Sequence, residues 1–364
     1  MVDYAAAGVD IEAGDRAVEL MKASVAASHN HTVVAGAGGF AGLIDASELI
    51  GMRRPLLASS TDGVGTKVAL AQALDIHHTI GQDLAAMVID DIVVTGARPL
   101  LMTDYIACGR VIPERIADIV RGIANACAAV DCPLVGGETA EHPGLMEPDE
   151  YDVAGAAVGV VEADQVLGAH RVKAGDVLVA LPSSGIHSNG FSLVRRIVAD
   201  AGWQWDRHIP EWGRSAGEEL LEPTALYTAH CLQMLNEFGE GVRAFSHITG
   251  GGLGANLCRV MPPGLAAQVE RGSWVVPPVF STLAEVGSVP WEDVEQTWNL
   301  GVGMVAVVNP AIVDGVLGFY PGAWVLGQVL AAQASEVHSG ERWIQGTKGV
   351  RGGAAWLAGD YRLV

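Results

Sequence analysis

Basic residues are scarce in this sequence, and their scarcity narrows the range of functions. The 364 residues include 22 lysines and arginines against 42 aspartates and glutamates, a formal net charge of -20 at pH 7. Such a surface repels nucleic-acid phosphates and anionic membranes. A phosphorylated small ligand is still compatible, because magnesium and backbone N–H groups reverse the field locally. We therefore expect no nucleic acid and no membrane among the partners.

Long apolar runs and paired cysteines are also missing. No run approaches the ~18 apolar residues of a membrane span, and the N-terminal sequence MVDYAAAGVDIEAGD lacks the basic and then apolar pattern of a signal peptide. The five cysteines show no CxxC pair and no zinc-ligand spacing, and their odd number suits a reducing compartment. We expect a cytoplasmic protein without a disulfide framework or a zinc site.

Two common catalytic signatures are absent as well. No nucleophile elbow is apparent, and the GxxxxGK[ST] spacing of a Walker loop does not occur. The sequence therefore gives no reason to propose covalent catalysis or a P-loop.

The overall composition indicates a well-buried α/β protein. Half of the residues are hydrophobic and 18% are charged, and 364 residues exceed the size at which one core usually stops growing. Apolar periodicity predicts helices over 12–27 and 113–130, and extended segments over 55–59, 100–107, 134–136, 153–161 and 177–181. The polar segment 162–175 interrupts this pattern. We therefore place two domains at 1–168 and 169–364.

The stretch DLAAMVIDDIVVTGARP, residues 83–99, carries three carboxylates in a mostly apolar run. On a helix, Asp83 and Asp90 lie about 20° apart and Asp91 about 80° further round. Burying an ionised group without a partner is very unfavourable. The carboxylates therefore need hydrogen bonds, cations or a metal, unless they cap neighbouring backbone or face solvent.

Two acidic turns each follow a predicted strand. STDGVGTK, residues 60–67, offers Asp62, two glycines, a hydroxyl and Lys67, which suits polyphosphate with magnesium held by the carboxylate. GGETAEHPG, residues 136–144, adds Glu138 and Glu141. Ordinary solvated turns are the alternative interpretation of both.

Two glycine-rich turns lie in the second half of the chain. In SSGIHSNGFS, residues 183–192, Ser188 or Asn189 can cap the helix that follows, and a helix N-terminus favours a bound phosphate. HITGGGLGANL, residues 247–257, has three consecutive glycines that allow close approach of an anion. Helix capping and structural histidines are the alternative interpretation.

These motifs, in this order, resemble the phosphoribosylformylglycinamidine cyclo-ligase family, also called aminoimidazole ribonucleotide synthetase or PurM. Asp91, four residues, and then Gly96, Ala97 and Pro99 match the ATP-binding signature of that family. The resemblance runs nearly end to end and rests on GVDIEAGD, GGFAGL, STDGVGTK, IGQDLAAMVIDDIVVTGARP, VGGETAEHPG, YDVAGAAVGVVE, SSGIHSNGFSLVR, HITGGG and WNLGVGM.

The resemblance implies an α/β (α+β), two-domain PurM-like fold. Four strands of the N-terminal domain would pair across a homodimer into an eight-stranded barrel, with the active site in a cleft near the dimer interface. It also implies ATP-dependent ring closure of formylglycinamidine ribonucleotide (FGAM) to aminoimidazole ribonucleotide (AIR), ADP and phosphate. Phosphoryl transfer of this kind needs positioning and charge neutralisation more than a protein nucleophile.

The resemblance also implies roles for individual residues. The ATP site would comprise Asp62, Gly63, Gly65, Thr66, Lys67, Asp91, Gly96 and Ala97. Magnesium (Mg2+) would be bound by Asp62, Asp91 and Glu138. The substrate would contact Glu138, Ser188, Asn189, Thr249, Gly250, Gly251 and Gly252. Lys22, Asp91, His187 and His247 would act in catalysis, Lys22 by neutralising phosphate and the two histidines by handling protons.

Two departures from the usual family pattern have local consequences. His142 and Met146 replace the ends of a Met-Pro-Gly-Met-Tyr run, which removes the usual tyrosine. Leu300 replaces a cysteine, so a reactive thiol there is not expected. Another ATP-dependent enzyme of the superfamily and a nucleotide-binding sensor without catalysis are the alternatives.

Overall fold

The fold comes from a computed structural model that describes residues 10–36, 38–332, 338–347 and 353–363. Contacts divide the chain into two compact units. The first unit runs to Val93 and continues over Ala97–Asp164, and the second unit contains Val94–Gly96 and the chain from Gln165 onward. The division at 164/165 falls within the polar segment at 162–175. The predicted domain limits of 1–168 and 169–364 stay a prediction.

Two of the longer helices begin at residues that are typical of helix N-termini. The Asp10 side chain accepts a hydrogen bond from the Ala13 N–H at the start of the first helix, and Pro113 opens the fourth. The helices predicted over 12–27 and 113–130 are confirmed to within one residue at each end. The described α-helices are α1 (Ile11–Ala27), α2 (Val68–Leu74), α3 (His78–Val93), α4 (Pro113–Ala129), α5 (Phe191–Asp200), α6 (Ala216–Leu220), α7 (Thr228–Phe238), α8 (Gly252–Cys258), α9 (Pro278–Val286), α10 (Trp291–Thr297) and α11 (Val313–Leu317).

The predicted extended segments are all strands, and each strand is longer than predicted. The excess lies at their ends, where polar and glycine residues continue the ladder into the motifs. The described strands are β1 (Val33–Ala35), β2 (Leu43–Ile44), β3 (Pro55–Gly63), β4 (Arg98–Cys108), β5 (Leu134–Glu141), β6 (Tyr151–Glu162), β7 (Val177–Pro182), β8 (His208–Ile209), β9 (Arg214–Ser215), β10 (Val242–His247), β11 (Leu265–Glu270), β12 (Val302–Val308), β13 (Trp324–Ala331), β14 (Arg342–Gln345) and β15 (Ala354–Ala358).

The first unit is built on a four-stranded sheet in the order β3-β6-β4-β5, in which only the β4–β5 pair is parallel. Helix α3 packs closely on one face, because a Cβ at Gly159 would lie 2.4 Å from Ile92 Cγ2. The register places Thr61, Ala156 and Thr103 in one row, and the alternation of side chains along a strand puts that row on the opposite face. The two faces therefore have different surroundings.

The second unit is built on a seven-stranded sheet in the order β10-β12-β7-β13-β11-β15-β14. Its β11–β15 pair is parallel and its other pairs are antiparallel. Every residue of β12 is buried, as expected of a strand that is covered on both faces. The turns that follow β7 and β10 carry the glycine-rich motifs.

All five cysteines are buried and none forms a disulfide bond. Burial raises the pKa of the Cys108 and Cys258 thiols to about 11 and that of Cys132 to about 12. Within the described ranges, none of the helices has the length and hydropathy needed to cross a bilayer.

Candidate functional site

A buried lysine holds the first carboxylate of the 83–99 stretch. Lys67 Nζ lies 2.9 Å from both carboxylate oxygens of Asp83, and neither side chain has any exposed surface. Lys67 follows the STDGVG turn, and Asp83 lies in α3. The ion pair therefore anchors the end of the acidic turn to the helix beneath it.

The three carboxylates of α3 have different environments. Asp83 and Asp90 are fully buried, whereas Asp91 in the last turn of the helix is half-buried. Among the three, Asp91 is the one with surface available to a ligand. A contact between Lys67 and phosphate stays a prediction, since the ammonium is already bound by Asp83 here.

The STDGVGTK turn begins at the exposed end of β3. Asp62 is exposed, and its Oδ1 accepts a hydrogen bond from the Gly63 N–H at 2.7 Å. Gly65 has φ +72°, and a Cβ there would meet nothing within 4 Å. Thr66 beside it is also exposed. The open conformation and open surroundings leave room for a ligand over this turn.

The turn after α3 contains the second part of the predicted ATP signature. Gly96 has φ +85°, and a Cβ there would lie 3.1 Å from the Gln165 carbonyl oxygen. The turn is fastened by the Leu167 N–H, which donates to the Thr95 carbonyl at 2.9 Å. Ala97 is fully buried. Glycine at 96 is therefore required both by its backbone conformation and by its neighbours.

Glu138 is exposed on β5 and lies opposite Tyr105 of β4 in the ladder. The Tyr105 hydroxyl is 3.1 Å from Nε2 of His142, the residue that departs from the usual family pattern. Tyr105 and His142 thus form a polar pair beside Glu138.

Lys22 is distant in sequence and lies on α1, where it is largely exposed and pairs with Glu19.

The assignment of Asp62, Asp91 and Glu138 to magnesium stays a prediction. In the part of the chain that is described, His, Cys, Asp and Glu side chains form no group of three or more able to hold a metal ion. Asp62, Asp91 and Glu138 therefore do not make a preformed cage. Magnesium commonly binds through one or two carboxylates together with phosphate oxygens and water.

In the second unit, the SSGIHSNG turn is held by one amide side chain. Asn299 donates to the Gly185 carbonyl oxygen at 2.9 Å and to that of Ile186 at 3.2 Å. Its Oδ1 accepts from the Ser183 hydroxyl and from the Gly301 N–H. Asn299 thus fixes the turn to the residues that precede β12.

His187 and His247 both flank a buried tyrosine. The Tyr227 ring is 6.1 Å from the ring of His187 and 6.4 Å from that of His247, and its hydroxyl donates to the Pro182 carbonyl. His187 has φ +66°, and its Nε2 accepts from the Ser184 N–H at 3.2 Å. Nε2 is therefore unprotonated in this arrangement, and a neutral His187 carries its proton on Nδ1.

The HITGGG turn is held by a second asparagine. Asn256 of α8 donates to the carbonyl oxygens of Gly252 at 2.9 Å and Thr249 at 3.2 Å. Gly250 and Gly251 are exposed. A Cβ at Gly250 would lie 3.4 Å from Asn189 Oδ1, so the two glycine-rich turns meet at this point.

Sequence reasoning missed three residues that shape this part of the site. Asn299 and Asn256 lay inside quoted motifs, but nothing distinguished their amides from ordinary loop polarity. Tyr227 lay in a segment without a motif. Gly303 of β12 supports the same cluster, because a Cβ there would lie 1.8 Å from the Tyr227 hydroxyl and 2.8 Å from His187 Cε1.

Comparison with known families agrees with this architecture. The family described as AIR synthase related protein, N-terminal domain, matches residues 45–161, and the corresponding C-terminal domain family matches residues 173–340. The phosphoribosylformylglycinamidine cyclo-ligase of Synechocystis sp. is 48% identical over 88% of this chain and 94% of its own length. The cyclo-ligase of Lachnospira eligens is 44% identical over 91% of this chain and 98% of its own length.

Solved structures with much lower identity share the fold. HypE of E. coli, a hydrogenase maturation protein, superposes with a TM-score of 0.60 at 17% identity, covering 88% of this chain and 91% of its own. Thiamine-monophosphate kinase from Stenotrophomonas maltophilia superposes with a TM-score of 0.60 at 17% identity, covering 87% of this chain and 94% of its own. A HypE structure solved with ATP superposes with a TM-score of 0.61 at 15% identity, covering 95% of this chain and 94% of its own. The predicted two-domain α/β (α+β) fold is confirmed.

Proposed function

Because the chain belongs to the phosphoribosylformylglycinamidine cyclo-ligase family, we propose that its acidic and glycine-rich turns carry out the ATP-dependent ring closure of FGAM. The chain is a ligase that forms a C–N bond in purine biosynthesis. The assignment of the chemistry to individual residues is what we propose.

The reaction balances without a protein nucleophile. The formyl oxygen of FGAM takes the γ-phosphoryl group of ATP, and ADP is released. The amidine nitrogen then attacks the formyl carbon and loses a proton, and the carbon–oxygen bond breaks. Phosphate departs with the former formyl oxygen, and the imidazole ring of AIR remains. The protein has to bind, orient and neutralise charge.

We assign the nucleotide to the acidic turns of the first unit. Asp62 is exposed beside the open turn at Gly65, and Asp91 is the accessible carboxylate of α3. Carboxylate oxygens are the ligands that magnesium prefers, so these two residues, with Glu138 as a further contact, fit the metal. Bound magnesium would neutralise phosphate charge. The buried Lys67–Asp83 pair would position the turn.

We assign the ribose phosphate of FGAM to the glycine-rich turns of the second unit. The observation that carries this assignment is that the Asn189 turn and the Gly250 turn meet. The first turn leads into α5, a ten-residue helix, and N–H groups at a helix N-terminus favour a phosphate. Ser188 and Thr249 add hydroxyl groups. Negative charge on the ligand therefore faces backbone donors.

The proton lost by the amidine nitrogen requires an acceptor, and His187 and His247 are the candidates. Both are nearly fully buried and lie on either side of Tyr227. Nε2 of His187 already accepts from Ser184, which favours His247 as the proton acceptor. We expect His187→Asn to retain at least a tenth of wild-type kcat and His247→Asn to lose at least about a hundredfold. A loss confined to His187→Asn would reverse the assignment.

The test of the function is an assay of ADP and AIR in parallel, with purified protein, magnesium, ATP and FGAM. Equal amounts of the two products identify the cyclo-ligase reaction. ADP release with another substrate would identify a different enzyme of the superfamily. ATP binding without turnover would identify a sensor. Asp91→Asn should abolish turnover, and Asp118→Asn, a change at a half-exposed carboxylate of α4, is the matched control.

We further propose that the protein is a cytoplasmic homodimer. The face of the four-stranded sheet opposite α3 carries Thr61, Ala156, Thr103 and the half-buried Val158. This surface of small and β-branched side chains suits the paired barrel that the family resemblance implies. Light scattering should give twice the monomer mass of 37.9 kDa, and Val158→Arg should give a folded monomer. A wild-type monomer at micromolar concentration would refute the dimer.

A further inference from the structure

An indole N–H lies buried beside the SSGIHSNG turn with nothing to donate to. Trp298 follows α10 and has no exposed surface. Within the described part of the chain, its Nε1 atom has no hydrogen-bond partner. A buried donor without an acceptor is unfavourable, because its bonds to water are lost on folding and not replaced.

The position of this donor relates it to one particular turn. A Cβ at Gly190 would lie 2.6 Å from Trp298 Nε1, and Gly190 is the N-cap residue of α5 with φ +78°. Glycine at 190 therefore allows the indole nitrogen to lie directly against the first turn of the helix. Asn189 and Gly190 are themselves half-buried and not sealed from solvent.

The ring is rigidly held, so the donor has one direction. The backbone N–H of Trp298 donates to the Val294 carbonyl oxygen at 3.0 Å, and the indole ring packs against the Phe280 ring with centroids 6.2 Å apart. The next residue, Asn299, fastens the same turn through Gly185 and Ile186. The indole and the turn thus form one connected structure.

We propose that the Trp298 indole N–H donates a hydrogen bond to an anionic phosphate oxygen bound at the start of α5. The inference rests on the proposed function, which identifies the phosphate as that of the ribonucleotide substrate. A charged acceptor satisfies the buried donor better than a neutral one, because such hydrogen bonds are shorter and about twice as strong. Trp298 would therefore select a phosphorylated ligand over its dephosphorylated analogue.

The first test measures the donor directly. The indole N–H resonance of Trp298, identified by its absence from the spectrum of Trp298→Phe, is followed while inorganic phosphate is added. We expect this resonance to move downfield as phosphate is added, and the shift should saturate at the same phosphate concentration as the independently measured binding isotherm. Trp324 also has a buried, unpartnered Nε1 but packs against Trp274, and its resonance is the internal control. A stationary Trp298 resonance at saturating phosphate overturns the proposal.

The second test uses the reaction. Trp298→Phe keeps the aromatic packing and removes only the N–H, so we expect KM for FGAM to rise about tenfold, equal to about 1.4 kcal/mol, with kcat within about twofold. Trp324→Phe should leave both unchanged. The melting temperature of Trp298→Phe should not fall, because an unsatisfied donor is removed. An unchanged KM in a folded Trp298→Phe variant overturns the proposal.

The two tests separate this inference from the proposed function. If the wild type fails to convert FGAM but binds phosphate with a shift at Trp298, the cyclo-ligase assignment fails and the donor stands. If it converts FGAM while Ser188→Ala alone weakens binding and Trp298→Phe does not, the function stands and the donor is refuted. If the wild type binds no phosphate, the donor is refuted as well.

Discussion

Lys67 and Asp83 form an ion pair from which water is excluded. The distance between the ammonium nitrogen and each carboxylate oxygen is 2.9 Å. One partner ends the acidic turn and the other lies within α3. Each charge alone would be strongly unfavourable in such surroundings. The pair therefore ties the conformation of the turn to the packing of the helix.

Breaking this pair should destabilise the protein strongly. Lys67→Met leaves the Asp83 carboxylate buried without its cation, and we expect a loss of about 3–5 kcal/mol in the free energy of unfolding, measured by urea denaturation. The exposed lysine of α1 provides the control, since Lys22→Met should change little. The double variant Lys67→Met, Asp83→Leu should recover most of the loss, and a failure to recover would show that the pair does not act as a unit.

The carboxyl group of Asp104 should make stability depend on pH. Its Oδ2 atom is buried and finds no partner among the described residues, and burial raises the pKa of Asp104 from 3.8 to about 7. The folded state therefore keeps a proton that the unfolded state releases above pH 4, and stability falls as pH rises from about 4 to 7. Asp104→Asn should remove this dependence.

The measurement for Asp104 is the melting temperature of wild type and variant at pH 5 and pH 8. The advantage of Asp104→Asn should be at least about 2 °C larger at pH 8 than at pH 5. Asp118→Asn, which alters a half-exposed carboxylate paired with Arg121, should show no such difference. Parallel pH profiles for wild type and Asp104→Asn would contradict the assignment.

A buried histidine should act in the opposite direction. His77 lies between the Tyr151 hydroxyl and the Asp75 carboxylate, each 3.0 Å from one ring nitrogen, and burial lowers the pKa of His77 below its ordinary 6.5. The unfolded state then binds a proton more readily, so the stability contributed by neutral His77 is complete above pH 6.5 and lost as pH falls below it.

The prediction for His77 concerns the difference between wild type and His77→Gln. That difference in unfolding free energy should be larger at pH 7.5 than at pH 5.5, because only the wild type takes up a proton on unfolding. Tyr151→Phe keeps the titrating ring, so its pH dependence should follow that of the wild type. A constant difference across this range would exclude His77 as the titrating group.

The amide of Asn256 should matter for the substrate and little for the fold. Asn256→Ala releases the carbonyl oxygens of Thr249 and Gly252, and we expect KM for FGAM to rise at least about tenfold through loss of the turn geometry. Asn309→Ala removes a capping amide that accepts from the Ala311 N–H and provides the control. Equal kinetics in the two variants would disprove the role of Asn256.

The sequence predicted the parts of the fold that depend on local pattern. Apolar periodicity located α1, α4 and five strands, since each buries one face or both. The turns were located because glycine and carboxylates interrupt that periodicity. In these cases the determining interactions lie within a few residues of each other.

Long-range partners were beyond the reach of the sequence. The cation that holds Asp83 is sixteen positions away, and the amide that fixes Gly185 is Asn299, more than a hundred positions away. The spacing of residues along the sequence does not indicate either pairing. The same reason hid Tyr227, whose place between His187 and His247 arises only when the β7 and β10 turns come together.

The burial of every cysteine has a practical consequence for spectroscopy. A thiol must ionise and be reached by solvent before a maleimide or a nitroxide reagent reacts with it. All five thiols are buried, and the pKa values of Cys108, Cys132 and Cys258 lie well above the working range. Single cysteines introduced on the surface should therefore react with a fluorophore or spin label in preference to the five native cysteines. Distances between the two glycine-rich turns then become measurable during turnover.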